Sequence, residues 1–526
     1  VTAVRERWER VQTSGMLHPT IFALYFVAFL WAQNPSEGVG GSQVLKVAAI
    51  AVAVTLAVYS VLRHFLGDPL RAGLCTTTVV VGVLSFGHLA NVTNAQPGGV
   101  EEGGLLLAVA LLICAGVIVS AKAHQQVAAV TRLLNLISVF LLALNAVPAA
   151  RAVNLGVPAA SAREDLSIQP LRWQGGGGSP RDIYYLVFDR YAGDQTLRDL
   201  YGFDNGSALS FLESRGFTVV RGAVANYPQT AHSLASTLNM VYLDDLAERV
   251  GRDSDSWEPL VGSLRASAIA DAMQGAGYEY YLVGSWWEPT AEDPSADQSY
   301  VYGRSDSFGE TFYRTTAIPY LLEWLSPAAP YDPFRTQYDR VGFQVGALKE
   351  ISLDPAPTFT FAHFTLPHYP YVFDEEGNYV RPDRVPHVEE AYIAQLRYTN
   401  DLIRNIVGSL APGPEEEDPI IIIQSDEGPH PVDRDFPDAD LRWAYESEVE
   451  LGRKLRILHA YYFPGVGDGA VLPTLTPVNT FRALLDSYFG ADLPLLPDRV
   501  FIWEDRQHPY RFTDVSERFL GGPASG

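Results

Sequence analysis

Three stretches carry side chains whose types and positions suit chemistry. Asp189 closes the run Tyr184-Tyr185-Leu186-Val187-Phe188-Asp189, and Asp426 and Glu427 close Ile420-Ile421-Ile422-Ile423-Gln424-Ser425-Asp426-Glu427-Gly428. A carboxylate directly after an apolar strand is poorly placed for solvation, so it should meet a cation or cap a helix. Either end alone fits a cap as well as a ligand; both together on one parallel sheet favour a metal. The third stretch, Asn226-Tyr227-Pro228-Gln229-Thr230-Ala231-His232-Ser233, starts polar and turn-prone and reads as a helix beginning near Thr230. A hydroxyl there sits where backbone N–H groups and the helix dipole favour an anion, although taken alone Thr230 reads as an N-cap followed by Ser233. His363 and His368 lie at and just past another strand, in His363-Phe364-Thr365-Leu366-Pro367-His368-Tyr369-Pro370. Imidazoles there can bind phosphate oxygens or carry protons; a single one would read as structural.

The elements that must position these groups follow from the texture after residue 182. Runs of β-branched and aromatic residues recur at Ile183–Phe188, Phe217–Val220, Tyr278–Val283, Thr358–Phe364, Ile420–Gln424 and Ile457–Phe463. Helix-compatible segments such as 206–215, 264–276 and 387–410 separate them. Strands alternating with helices predict crossover connections and a mainly parallel α/β sheet covered by helices, with its ligand site at the carboxyl ends of the strands. The acidic clusters Glu415–Asp418 and Asp433–Asp440 read as solvated loops. Trp286-Trp287 reads as core or membrane-facing, with a sugar or lipid platform as the alternative.

The first 150 residues are of another kind. Five apolar stretches, about 17–33, 44–62, 72–92, 104–120 and 133–149, are each about long enough to cross a ~30 Å hydrocarbon core as a helix. Arg5, Arg7, Arg10, Arg63, Arg71, Lys122 and Arg132 fall in alternate connections; the others hold Lys46, or Glu101 and Glu102 without a base. The positive-inside rule predicts a cytoplasmic N-terminus, and an odd number of spans places the rest outside. The expected layout is a transmembrane domain over 1–150, a linker over 151–181 containing Gly175–Pro180, and an extracytoplasmic domain over 182–526. That describes a multi-pass protein of a bacterial plasma membrane.

Charge and cysteine usage narrow the function. The 526 residues carry 38 basic and 61 acidic side chains, a net charge of −23, which argues against a nucleic-acid partner. Only four bases are lysines (46, 122, 349, 454), and both cysteines, Cys75 and Cys114, lie in apolar runs, so there is neither a polybasic tract nor a disulfide or Cys-metal module. The spans lack the buried acids and bases of a translocation path, which disfavours a transporter.

Taken together, the chain resembles the membrane-anchored, sulfatase-like phosphotransferases of the alkaline phosphatase superfamily, similar in architecture to lipoteichoic acid synthases and lipid A phosphoethanolamine transferases. The resemblance covers nearly the whole chain. It rests on the strand-end acid Asp189, Thr-x-x-Ser at Thr230 to Ser233, His-x-Pro at His368 to Pro370, Ser-Asp-x-Gly at Ser425 to Gly428, and a late strand ending in Pro464-Gly465. It implies that Thr230 is the nucleophile and that Asp189, Thr230, Asp426 and Glu427 bind one divalent metal. His368 would contact substrate phosphate or move protons, and His363 is the alternative proton carrier.

Two departures matter. The first ligand is Asp where these transferases usually have Glu, and position 427 is Glu where the pattern is usually Asp-His. Three carboxylates and a threonine oxygen would suit Mn²⁺, Mg²⁺ or Ca²⁺ better than Zn²⁺, although Glu427 pointing away and a lost metal is the alternative. A formylglycine sulfatase needs Cys/Ser-x-Pro/Ala-x-Arg, which Thr230-Ala231-His232-Ser233-Leu234 lacks. The resemblance therefore implies transfer of a phosphate-containing headgroup from a membrane phospholipid donor to an envelope glycan or glycolipid acceptor through a phosphothreonine. The alternatives are a phosphodiesterase using water at the same site, and an inactive binding module.

Overall fold

The computed structural model describes residues 13–34, 39, 41–94, 102–154, 171–175, 179–265, 267–303, 307–325, 332, 334–382, 387–411, 418–430, 442–443, 446–466 and 476–520. Arg5, Arg7, Arg10, Glu101, most of the 151–181 linker and of the 415–418 cluster, and Asp433–Asp440 lie outside these residues. The chain divides into two compact units: Val1–Leu155 with Asp306–Asp332, and Gly156–Ser305 with Pro333–Gly526.

The first unit holds the helices α1 (Leu17–Gln33), α2 (Gly41–Leu66), α3 (Pro69–Leu84), α4 (Phe86–Asn94), α5 (Glu102–Lys122) and α6 (Val127–Asn154). Segments Gly41–Leu66, Gly103–Lys122 and Val127–Asn145 are long and apolar enough to cross a membrane, and Leu17–Gln33 and Pro69–Leu84 are shorter apolar helices. α1 packs on α6, α2 and α3, and α3 on α5. Asp68 caps α3 by accepting from the N–H groups of Leu70 and Arg71, with Pro69 in the first helical position.

Two features depart from the sequence reading. The stretch 72–92 is not one helix: α3 ends at Leu84 with Ser85 as its C-cap, and the N–H of Gly87 leaves the helical ladder to donate to the Thr315 carbonyl at 2.8 Å. Only glycine permits that approach, because a Cβ at Gly87 would lie 2.6 Å from the Thr315 Cα. Second, His18 is fully buried, with Nδ1 2.5 Å from the Thr77 hydroxyl. The apolar helices thus contain a buried histidine, which the expectation of no buried acids or bases overlooked.

The second unit is built on a seven-stranded sheet of β1 (Ile183–Phe188), β2 (Thr218–Val219), β3 (Glu279–Val283), β4 (Gln298–Tyr300), β5 (Thr358–Phe364), β6 (Ile420–Gln424) and β7 (His459–Tyr462). Their order is β2-β7-β6-β1-β5-β3-β4; β6, β1, β5, β3 and β4 run parallel, and β2 and β7 form an antiparallel edge. A separate hairpin joins β8 (Phe501–Trp503) and β9 (Phe512–Asp514).

All six residues of β1 are buried, as a sheet covered on both faces requires. Ile183, Tyr185 and Val187 share a core with Leu234, Met273 and Phe481; Tyr184, Leu186 and Phe188 share the other with Val341, Leu348, Leu396 and Ile403. The register pairs Phe188 with Phe364 and Val187 with both His363 and Gln424, so the carboxyl ends of three adjacent strands finish level. That alignment brings the chemistry-bearing residues together.

Candidate active site

Asp189 follows β1, His363 is the penultimate residue of β5, and Asp426 lies two residues beyond β6. Each offers one ligand atom to a cluster in which these atoms lie within 4.8 Å of one another. Asp426 and His363 are fully buried and Asp189 is nearly so. The turns carrying the two acids are stitched together, because Ser425 Oγ accepts from the Tyr191 N–H at 2.9 Å and donates to the Glu427 carbonyl at 2.7 Å. Arg190, beside Asp189, has φ 63°, a left-handed conformation rare for arginine. The Tyr392 hydroxyl holds it by donating to the Arg190 carbonyl at 2.9 Å.

The same turn is closed from behind by Gly428. Its N–H donates to the Lys454 carbonyl at 2.7 Å, and a Cβ there would lie 2.1 Å from the Arg453 carbonyl oxygen.

Thr230 opens the helix Thr230–Asn239, whose ten residues are all buried. It is not the N-cap: Gln229 holds that position and makes no side-chain cap. The first amides of a helix have no partner within it, so this end presents N–H donors beside the threonine hydroxyl. The helix is seated by His232, whose Nε2 lies 2.8 Å from the Pro509 carbonyl and whose ring stacks on Trp503.

Glu427 has a different environment from the one the resemblance implies. Its Oε1 meets Lys454 Nζ at 2.5 Å and Arg190 Nε at 3.2 Å, all three side chains being largely or fully buried. It stands outside the cluster of Asp189, His363 and Asp426. Lys454 and Arg190 were not singled out from the sequence. The faint signals were a lysine in a lysine-poor chain and an arginine touching the strand-end acid.

The electrostatics point to a missing positive charge. Burial, followed by the neighbouring charges of Asp426 and Glu427, raises the Asp189 carboxyl well above the usual range. Burial and then Glu427 push Asp426 up to about 7, although the nearby Thr230 hydroxyl favours its charged form. Among the described residues, neither oxygen of Asp426 accepts a well-formed hydrogen bond, nor does Oδ1 of Asp189, and His363 Nε2 has no hydrogen-bond partner. Three acids, Asp189, Asp426 and Glu427, face two bases, Arg190 and Lys454. A divalent cation between Asp189, His363 and Asp426 would satisfy the orphaned atoms and reverse the charge deficit, so the residues present fit a metal.

His363 is preset for that role. Burial lowers its pKa to about 3, so it is neutral, and Nδ1 lies 2.7 Å from the Thr290 hydroxyl, leaving Nε2 directed towards Asp189 at 3.9 Å. His368 lies on the same acid, its Nε2 3.9 Å from Asp189 Oδ2, with Nδ1 against the Tyr369 carbonyl. Burial and then Arg190 hold it well below the usual histidine range. The Trp286 ring meets His368 edge-on and the Trp287 ring meets His363 edge-on, so both tryptophans border the site.

Residues 198–451 match the family model described as Sulfatase. No curated protein matches the chain. Among solved structures, the C-terminal periplasmic domain of EptC from Escherichia coli, in complex with Zn, aligns at 12% identity over 68% of this chain and 100% of its own, with TM-score 0.44. The integral membrane lipooligosaccharide phosphoethanolamine transferase A of Neisseria meningitidis aligns at 13% identity over 86% and 88%, TM-score 0.34. The phosphonate monoester hydrolase of Agrobacterium radiobacter aligns at 14% identity over 66% and 84%, TM-score 0.36.

Proposed function

Residues 198–451 match the Sulfatase family model and follow apolar helices long enough to cross a membrane, and from that premise we propose that the chain is a metal-dependent phosphotransferase with Thr230 as nucleophile. The observation that carries the reading is the cluster of orphaned ligand atoms on Asp189, His363 and Asp426, with the Thr230 hydroxyl beside Asp426 at a helix N-terminus. Asp189, His363 and Asp426 hold one divalent cation, and Thr230 completes the set. With His363 in the place the sequence reading assigned to Glu427, the donors are mainly oxygen with one imidazole nitrogen. That set suits Mn²⁺ or Zn²⁺ rather than Ca²⁺.

When bound, the cation supplies Lewis acidity, favouring ionisation of the threonine hydroxyl and offsetting phosphate charge. The remaining chemistry belongs to the chain. With Nδ1–H assigned as donor to the Tyr369 carbonyl, His368 keeps an Nε2 lone pair and takes the Thr230 proton. Thr230 Oγ attacks phosphorus, the bond to the diacylglycerol oxygen breaks, and that oxygen receives the proton from His368. In the second half the acceptor hydroxyl gives its proton to His368 and attacks the phosphothreonine, and Thr230 Oγ leaves and is reprotonated. The helix amides hold the phosphoryl oxygens.

The donor is a membrane phospholipid and the acceptor an envelope glycan or glycolipid, with the sheet domain on the extracytoplasmic side. Attachment to the bilayer keeps the site at the surface that holds its donor, which raises effective concentration. Water in the second half would make the same site a phosphodiesterase.

The test is elemental mass spectrometry of the purified full chain, followed by turnover of a headgroup-labelled phospholipid. Wild type should hold about one manganese or zinc per chain, since the cluster offers one site. Asp426→Ala should lose it, and Thr230→Ala should keep the metal but release no diacylglycerol. Turnover by Thr230→Ala equal to wild type would sink the nucleophile assignment. Product formed at the same rate with and without glycan acceptor would assign the hydrolytic reading.

A further inference from the structure

The segment grouped with the apolar helices lies, in sequence, between β4 and the helix Arg335–Ile351 of the sheet domain. It contains two short helices, Ser307–Arg314 and Ile318–Leu325. The first is fastened to the helical unit: Phe308 is buried in a core with Val27, Leu30, Val44 and Val47, while the Glu310–Arg314 ion pair stays outside. Between the helices the chain is pinned twice, by the Gly87 N–H donating to the Thr315 carbonyl at 2.8 Å and the Ala317 N–H donating to the Val83 carbonyl at 2.9 Å. The second helix then turns Ala317 and Tyr320 onto Phe86, Ala90 and Val109 of α4 and α5.

Its other face has no counterpart among the described residues. Ile318, Leu321, Leu322 and Leu325 follow the i, i+3, i+4, i+7 spacing of one helical face and are 40–61% exposed, and neighbouring Trp324 is 71% exposed. Such a face is unstable in water and marks an interaction surface. What covers it is indicated by its neighbours in the same unit. α4 exposes Leu89 and Val92, and α5, against which this helix packs, exposes Leu107, Leu111 and Leu112. Those α5 side chains belong to a span and must face lipid, so the apolar face continues a surface already committed to the bilayer. It does so near the end where α4 closes and α5 begins, and an exposed tryptophan is the residue type that favours a headgroup boundary.

We propose that Ile318–Leu325 is an interfacial membrane helix, lying in the headgroup–acyl boundary with Ile318, Leu321, Leu322 and Leu325 in the lipid. The chain therefore meets the membrane surface again between β4 and the helix Arg335–Ile351, well after the last of the long apolar helices in sequence. The occupant is phospholipid, not a second copy of the chain. The inference rests on the helical unit alone and is independent of the reaction assigned above.

The test uses the full chain with Cys75→Ala and Cys114→Ala, in nanodiscs of phosphatidylethanolamine and phosphatidylglycerol. An environment-sensitive fluorophore is attached at Leu322→Cys or Leu325→Cys, and at Leu353→Cys as the water-exposed control in the sheet domain (Leu353 is 83% exposed). Brominated acyl chains should quench the first two at least about twofold more than the control, with blue-shifted emission, in discs holding one chain. Emission and quenching equal to the control would overturn the proposal. So would a blue shift that needs two chains per disc, which would give the face to a second copy. Because labelled variants can misfold, Trp324→Phe provides a second reading. It should remove a measurable part of the bromolipid-quenchable tryptophan fluorescence, and an unchanged quenchable fraction would count against lipid contact.

Discussion

At the residue scale, the site turns on how Glu427 is neutralised. Removing one partner of a buried ion pair leaves an uncompensated charge, whereas replacing both with apolar groups can be nearly neutral. Lys454→Met leaves Glu427 only the longer contact to Arg190 and is therefore expected to destabilise the protein by at most roughly 3–5 kcal/mol, and Lys454→Met with Glu427→Leu to recover part of that loss. Thermal melts of the four proteins in a double-mutant cycle measure it; a loss in the double variant equal to the sum of the two single losses would show that the pair carries no such coupling.

Asp426 gives a second residue-scale prediction. Its pKa is raised from the ordinary 3.8 to about 7, so the native metal-free state binds this proton more tightly than the unfolded chain does. The contribution to stability is then present at low pH and is lost as pH rises from about 4 to about 7, beyond which the penalty is constant. Buried histidines such as His363 and His459 act in the opposite direction, since the unfolded chain takes up their protons as pH falls through the ordinary 6.5. The difference between wild type and Asp426→Asn isolates the carboxylate. In chelator, wild type should lose melting temperature relative to Asp426→Asn between pH 4 and 7, and added Mn²⁺ should restore it above pH 7 in wild type only.

At the element scale, the strands that were plainest in sequence were those buried on both faces. Ile183–Phe188, Thr358–Phe364 and Ile420–Gln424 are β1, β5 and β6 to the residue, because a central parallel strand is a continuous apolar run with an abrupt end. β4, three residues long, and the β8–β9 hairpin carry too little pattern of their own and form by pairing with partners. The turn after β6 shows why the end of an element matters. Gly428 lets that turn close against the carbonyl of Arg453, and Gly428→Ala, whose Cβ would lie 2.1 Å from that oxygen, must displace the turn. We expect loss of about 1–3 kcal/mol and of metal retention, read by melting and elemental analysis. A variant that kept full metal occupancy would show that the turn tolerates the shift.

At the scale of the whole molecule, the charge pattern of the connecting loops predicts a cytoplasmic N-terminus and an extracytoplasmic sheet domain. Protease added to intact spheroplasts should therefore digest the sheet domain and spare an N-terminal fragment containing α1 to α6. Protection of the sheet domain until the cells are lysed would reverse the orientation.

The division between an apolar helical region and an α/β region, and the acids at the ends of β1 and β6, were determined by the sequence itself. Composition and strand-end placement are local properties, and local burial drives them. His363 and Thr230 were visible as candidates, but their placement depended on the level finish of β6, β1 and β5 and on the seating of the helix Thr230–Asn239. Lys454 against Glu427, and the return of residues 306–332 to the helical unit, were decided by tertiary structure alone. Each is a contact between segments far apart in the chain, satisfied by burial and charge pairing that no local window contains.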